Sequence, residues 1–114
     1  MQFSHSLKEN SVFQRLYRKG ATLAGPFVVV YCRRSKLGEN RLGITVSKKL
    51  GHAVVRNRVR RRLREIYRLH ESEFTPGWDI VVVARSRSVD APYEKLEACF
   101  MELAGKLGLL AEET

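Results

Sequence analysis

The sequence predicts an α/β (α+β) two-layer sandwich, in which helices pack on a mixed central sheet. Three observations lead there. Two short apolar runs, Phe27–Cys32 and Trp78–Ala84, are rich in β-branched residues. Residues 41–47 alternate apolar and polar side chains, and residues 54–70 and 96–107 repeat apolar residues at helical spacing. A chain of 114 residues with 44% hydrophobic content suits one core, so residues 1–114 are read as a single domain.

Residues 7–19 read as a first helix, because Val12/Leu16 and Phe13/Tyr17 are i,i+4 pairs and Gly20 is a natural stop. Residues 21–24 suit a short strand, and Gly25-Pro26 separates them from the strand that begins at Phe27. Residues 35–40 form a turn. Leu42, Ile44 and Val46 then alternate with Arg41, Gly43, Thr45 and Ser47, a pattern expected to form a hairpin with the preceding strand. Gly51 interrupts the chain before a helix from Val54 to about His70. Trp78–Ala84 is apolar on both faces and belongs in the middle of the sheet. Ser88 or Asp90 is expected to cap a last helix with Pro92 in its first turn and Leu96, Cys99, Phe100, Leu103 and Leu107 on its buried stripe. The predicted order is α-β-β-β-α-β-α.

Charge is concentrated in one of these elements. The formal net charge is +9, and Lys48–Arg68 alone holds nine basic residues against one acid, Glu65. The remainder is nearly neutral, so the basicity is a local device that favours a polyanionic partner. Seven of the nine are arginines, whose planar forks match phosphate bidentately.

On a helical wheel at about 100° per residue, Val55, Ile66, Val59, His70 and Leu63 fall within one apolar stripe. Arg60, Arg64, Asn57, Arg68, Arg61 and Arg58 occupy the opposite arc, with Arg56 and Arg62 at its borders. A face kept for solubility would mix signs, since opposite charges at i,i+4 stabilise and like charges repel. Arg56, Arg60, Arg64 and Arg68 instead form a like-charged i,i+4 ladder, an arrangement that phosphate binding explains better than solvation.

Other chemistry finds little support. Cys32 and Cys99 are too few for a disulfide framework and are read as reduced, with no disulfide partner. His5, His52 and His70 lack metal-ligand spacing, and neither a paired-carboxylate constellation nor a glycine-rich phosphate loop is evident. No catalytic, cofactor-binding or metal-binding residue is therefore assigned. The longest apolar run, Phe27–Tyr31, is far too short to span a bilayer, and the first residues lack a signal core, so a cytoplasmic protein without a membrane partner is expected. Phe13, Tyr17 and Tyr31 suit either core packing or an exposed platform on which bases stack.

The stretch from Gly43 to Glu65, with Ser47-Lys48-Lys49 followed by Arg56-Asn57-Arg58 and further arginines, resembles the signature of the bacterial ribonuclease P protein subunit. Phe13-Gln-Arg-Leu-Tyr17, Arg41-Leu-Gly and Gly77–Arg85 extend the resemblance over nearly the whole chain. It implies a left-handed strand-helix-strand crossover, against the physical rule that such crossovers are right-handed. It also implies a protein that joins a catalytic RNA to remove the 5′ leader of precursor tRNA by magnesium-dependent hydrolysis, with Mg2+ held mainly by RNA and substrate. Lys48, Lys49, Arg56, Asn57, Arg58, Arg60, Arg61, Arg64 and Arg68 would then contact the catalytic RNA, while Phe13, Tyr17 and Tyr31 would line a cleft for the leader.

Three other functions suit parts of the pattern. A ribosomal or assembly RNA-binding protein shares the length and basicity. A duplex DNA binder is disfavoured because a uniform arginine face offers phosphate contacts more readily than base discrimination. A stand-alone nuclease lacks an evident acid and metal constellation.

Overall fold

The computed structural model describes residues 4–6, 20–36 and 38–111. The helix predicted over 7–19, and with it Phe13 and Tyr17, lies outside the described residues. The elements are β1 (Ser4–Ser6), β2 (Ala21–Ala24), β3 (Val28–Arg34), β4 (Asn40–Thr45), α1 (Ala53–His70), β5 (Trp78–Ala84) and α2 (Tyr93–Lys106). Short 3-10 turns precede α1 at Lys48–Leu50, follow it at Glu71–Glu73, and precede α2 at Ser86–Ser88.

The sheet is mixed, with strand order β1-β4-β5-β3-β2. β5 occupies the centre, as its doubly apolar sequence requires: Ile80, Val81 and Val82 are all buried, antiparallel to β3 and parallel to β4. This overturns the expected hairpin between residues 27–32 and 41–47. β3 and β4 are not neighbours, because β5 is inserted between them. The five residues 35–39 need only cross two strand spacings of about 4.8 Å each, well within their reach. Alternation along a strand identifies its buried face and says nothing about its partner. The edge strand β1, parallel to β4, has no counterpart among the predicted strands.

Successive residues point to opposite faces of the sheet. Val28, Val30, Cys32, Leu42, Ile80 and Val82 meet Val59, Leu63, Ile66 and Tyr67 of α1 and Leu96, Phe100 and Leu103 of α2 in one core. Tyr67 is wholly buried and packs against Phe74 with rings tilted by 55° and 5.0 Å between centroids, which widens the stripe read from the wheel. Both cysteines are buried and free, and burial pushes the Cys32 thiol pKa up.

Asn40, assigned to the turn, instead opens β4 and is buried. Its amide donates to the Thr75 carbonyl at 3.0 Å and its oxygen accepts from the Trp78 backbone N–H at 2.8 Å, fixing the entry to β5. The expected cap of α2 is also corrected. Pro92 precedes the first helical residue, and the Ser88 hydroxyl is turned inward to donate to the Arg85 carbonyl at 2.6 Å, while Asp90 makes no cap.

Candidate nucleic-acid interface

β4 delivers the chain to the basic segment. Ser47 Oγ accepts from the Lys49 backbone N–H at 3.2 Å and starts the turn that leaves Lys48 and Lys49 exposed. Gly51 then reverses direction with φ 145°, and a Cβ there would lie 3.1 Å from Val55. Both the backbone angle and the close approach require glycine. No acidic residue occupies the first turn of α1, so the positive end of the helix dipole adds to the field of the lysines.

Along α1 the buried and cationic faces lie back to back. Val59, Leu63, Ile66 and Tyr67 are buried, whereas Asn57, Arg58, Arg61, Arg64 and Arg68 are exposed and Arg60 is half-buried. Hydrogen bonding divides the arginines further. Arg56 Nε donates to the Gly51 carbonyl at 3.2 Å, Arg60 donates to Asn57 Oδ1 at 2.8 Å, and Arg68 makes a bidentate pair with Glu65 at 2.6 and 3.1 Å. That pair lowers the Glu65 pKa and raises that of Arg68.

Three members of the like-charged ladder, Arg56, Arg60 and Arg68, thus have internal partners, which the reading of its spacing as like-charge repulsion did not include. Arg58, Arg61 and Arg64 have no hydrogen-bond or ion-pair partner among the described residues. Beside them an open groove of about 530 Å³ is lined by Val54, Asn57, Arg60, Arg61 and Arg64. Val54, 78% exposed, gives this cationic face an apolar element; at about 100° per residue it falls between Arg61 and Arg58 on the wheel. Arg62, left out of the predicted contacts, is structural: it donates to the Ala91 carbonyl at 2.6 Å and lies 5.8 Å from the Tyr93 ring centroid.

Tyr31 occupies a different surface. Val30 is fully buried in the core, so Tyr31 points to the sheet face opposite α1 and α2, in register with Thr22 on β2 and Val81 on β5. In the next row Arg41 and Asp79 form a bidentate pair, with both N···O distances 2.7 Å. Phe27 is separate from this face: it precedes β3 and lies beneath Arg87. Among the described residues no group of three or more His, Cys, Asp or Glu is placed to hold a metal ion. No helix among them is long and apolar enough to cross a membrane.

A mixed-sheet domain whose helix buries one face and presents on the other a row of arginines without partners among the described residues has the build of the small basic α+β proteins suited to polyanions. Comparison narrows this class. The Ribonuclease P family model matches residues 1–108. The ribonuclease P protein component of Alkaliphilus metalliredigens is 38% identical over 97% of this chain and 100% of its own, and that of Lachnoclostridium phytofermentans is 44% identical over 89% and 87%. Among solved structures, the ribonuclease P protein of Staphylococcus aureus superposes with a TM-score of 0.87 at 35% identity, covering 94% of this chain and 98% of that one. The protein from Thermotoga maritima gives 0.82 at 27% identity over 90% and 96%. The chain belongs to the ribonuclease P protein family.

Proposed function

We propose that residues 1–114 act as one RNA-binding domain, the protein subunit of a cytoplasmic ribonuclease P that removes the 5′ leader of precursor tRNA. The observation that carries this reading is the row Arg58, Arg61 and Arg64, exposed on a helix anchored by its opposite face and without internal partners among the described residues. Bringing a catalytic RNA and a tRNA together sets phosphates against each other. Fixed guanidinium groups replace diffuse counterions and offset that repulsion, so less magnesium is required for assembly. Lys48, Lys49, Arg56, Asn57, Arg60 and Arg68 extend the same contact, with Arg56, Arg60 and Arg68 exchanging internal hydrogen bonds for phosphate.

On this reading the reacting groups reside in the RNA, and Mg2+ is held mainly by RNA and substrate. Tyr31, on the sheet face away from α1 and α2, receives the single-stranded leader, Phe13 and Tyr17 are assigned to the same leader, and stacking contributes about 1–3 kcal/mol per base. Precursor is thereby distinguished from mature tRNA, which has no leader to stack. Cleavage of precursor tRNA at low magnesium is the test, with buffer, protein alone, catalytic RNA alone, and both together. Cleavage at the mature 5′ end is expected only where both are present. Tight RNA binding without rescue would instead favour a ribosomal or assembly role.

A further inference from the structure

We propose a second site for the catalytic RNA at the junction of β3 and α2, built from Phe27, Arg87 and Lys95. It rests on the reading that α1 meets that RNA. The Arg87 guanidinium carbon lies 5.5 Å from the Phe27 ring centroid, and both residues border an open surface depression of about 340 Å³ together with Asp90, Ala91, Pro92 and Lys95. Phe27 is half-buried, whereas Arg87 and Lys95 are exposed. A guanidinium plane supported on one side by an aromatic ring offers its other side to an unpaired base, and the nearby ammonium takes the adjoining phosphate.

Asp90 sets the orientation. Its carboxylate repels phosphate, so the backbone passes on the Lys95 side, and Asp90 accepts from a base amine or ribose hydroxyl.

Continuity with α1 identifies the occupant. Ala91, in the wall of this depression, is the residue whose carbonyl Arg62 holds at 2.6 Å, so the platform adjoins the border of the arginine face. Arg58 lies on the same side of α1 as Arg62. An RNA strand lying along Arg64, Arg61 and Arg58 therefore reaches the platform by crossing the α1–α2 border, whereas a leader held at Tyr31 lies across the sheet. The site belongs to the catalytic RNA and not to the tRNA.

The test measures binding of the full chain to the catalytic RNA transcribed from the same genome, across a salt series. Arg87→Ala/Lys95→Ala is expected to weaken binding at least fivefold and to reduce the salt slope by roughly 0.7–0.9 for each phosphate no longer neutralised. Phe27→Leu, which keeps apolar volume but removes the ring beneath Arg87, is expected to weaken binding roughly two- to fivefold, the share of a cation–π contact, with Tm measured alongside because Phe27 also packs against the core. Unchanged affinity and slope in the double variant would overturn the site. A weakening seen only when the assembled complex binds precursor tRNA would overturn its assignment to the catalytic RNA. Arg61→Ala, measured in parallel, reports on α1 alone and separates failure of the platform from failure of the underlying reading.

Discussion

Arg41 holds Asp79 across the parallel β4–β5 pair through both carboxylate oxygens, each at 2.7 Å, on the sheet face that also carries Tyr31. The Asp79 side chain is 5% exposed and that of Arg41 is 24% exposed, so removing the arginine leaves a nearly buried carboxylate without its bidentate partner. Arg41→Ala is expected to destabilise the fold by about 2–4 kcal/mol, somewhat less than the loss at a fully buried pair because Arg41 keeps some solvent. Urea unfolding measures it, and replacing both residues with apolar ones of similar volume should recover much of the loss.

Arg62 serves the fold, unlike its neighbours on α1. Arg62→Ala removes its hydrogen bond to Ala91 and its interaction with Tyr93, and is expected to lower stability by about 1–3 kcal/mol without changing the salt dependence of RNA binding. A shift in the denaturation midpoint with an unaltered salt slope is the expected pair of results.

His70 closes α1 onto α2. One ring nitrogen meets Glu73 and the other meets Glu97 at 3.0 Å, an arrangement suited to an imidazolium that donates from both sides. The hydrogen bond with Glu73, and after it the one with Glu97, raises the His70 pKa. The folded state therefore binds the proton more tightly than the unfolded chain. The resulting stabilisation is fully present below the unfolded value of about 6.5 and is lost as pH rises through the raised folded value. Unfolding free energies measured from about pH 5.5 to 9 should show this decline, and His70→Gln should remove it.

Gly25 packs where no side chain fits. A Cβ there would lie 2.7 Å from Cys99 Sγ and 3.2 Å from Leu103, against α2. Gly25→Ala is expected to cost about 1–3 kcal/mol through overpacking, read as a lower Tm, and Gly25→Ala/Cys99→Ala should recover part of it.

Features set by periodicity were the most legible. The doubly apolar run Trp78–Ala84 marked the central strand, and the apolar stripe of α1 located the exposed arginines on its other side. Strand adjacency was not legible, because alternation at residues 41–47 is compatible with any neighbour; only the tertiary fold inserts β5 between β3 and β4. The hand of the crossover came from resemblance alone. Within the site, residue type identified the cationic face but could not separate its members. Arg56, Arg60 and Arg68 differ from Arg58, Arg61 and Arg64 through nearby acceptors, namely the Gly51 carbonyl, Asn57 and Glu65. Two of these acceptors are side chains three residues away, a signal that i,i+3 spacing carried in the sequence.

The proposed role in the ribonucleoprotein depends on Arg58, Arg61 and Arg64, which have no partner among the described residues, neutralising phosphates of the catalytic RNA. The slope of log Kd against log salt concentration, for the unaltered chain and for Arg58→Ala, Arg61→Ala and Arg64→Ala, reads this neutralisation without an intermediate step. Each substitution is predicted to reduce the slope by roughly 0.7–0.9, the contribution of one phosphate, while Arg62→Ala leaves it unchanged. Slopes that stay the same in all three exposed variants would contradict the proposal and show that this face does not meet RNA.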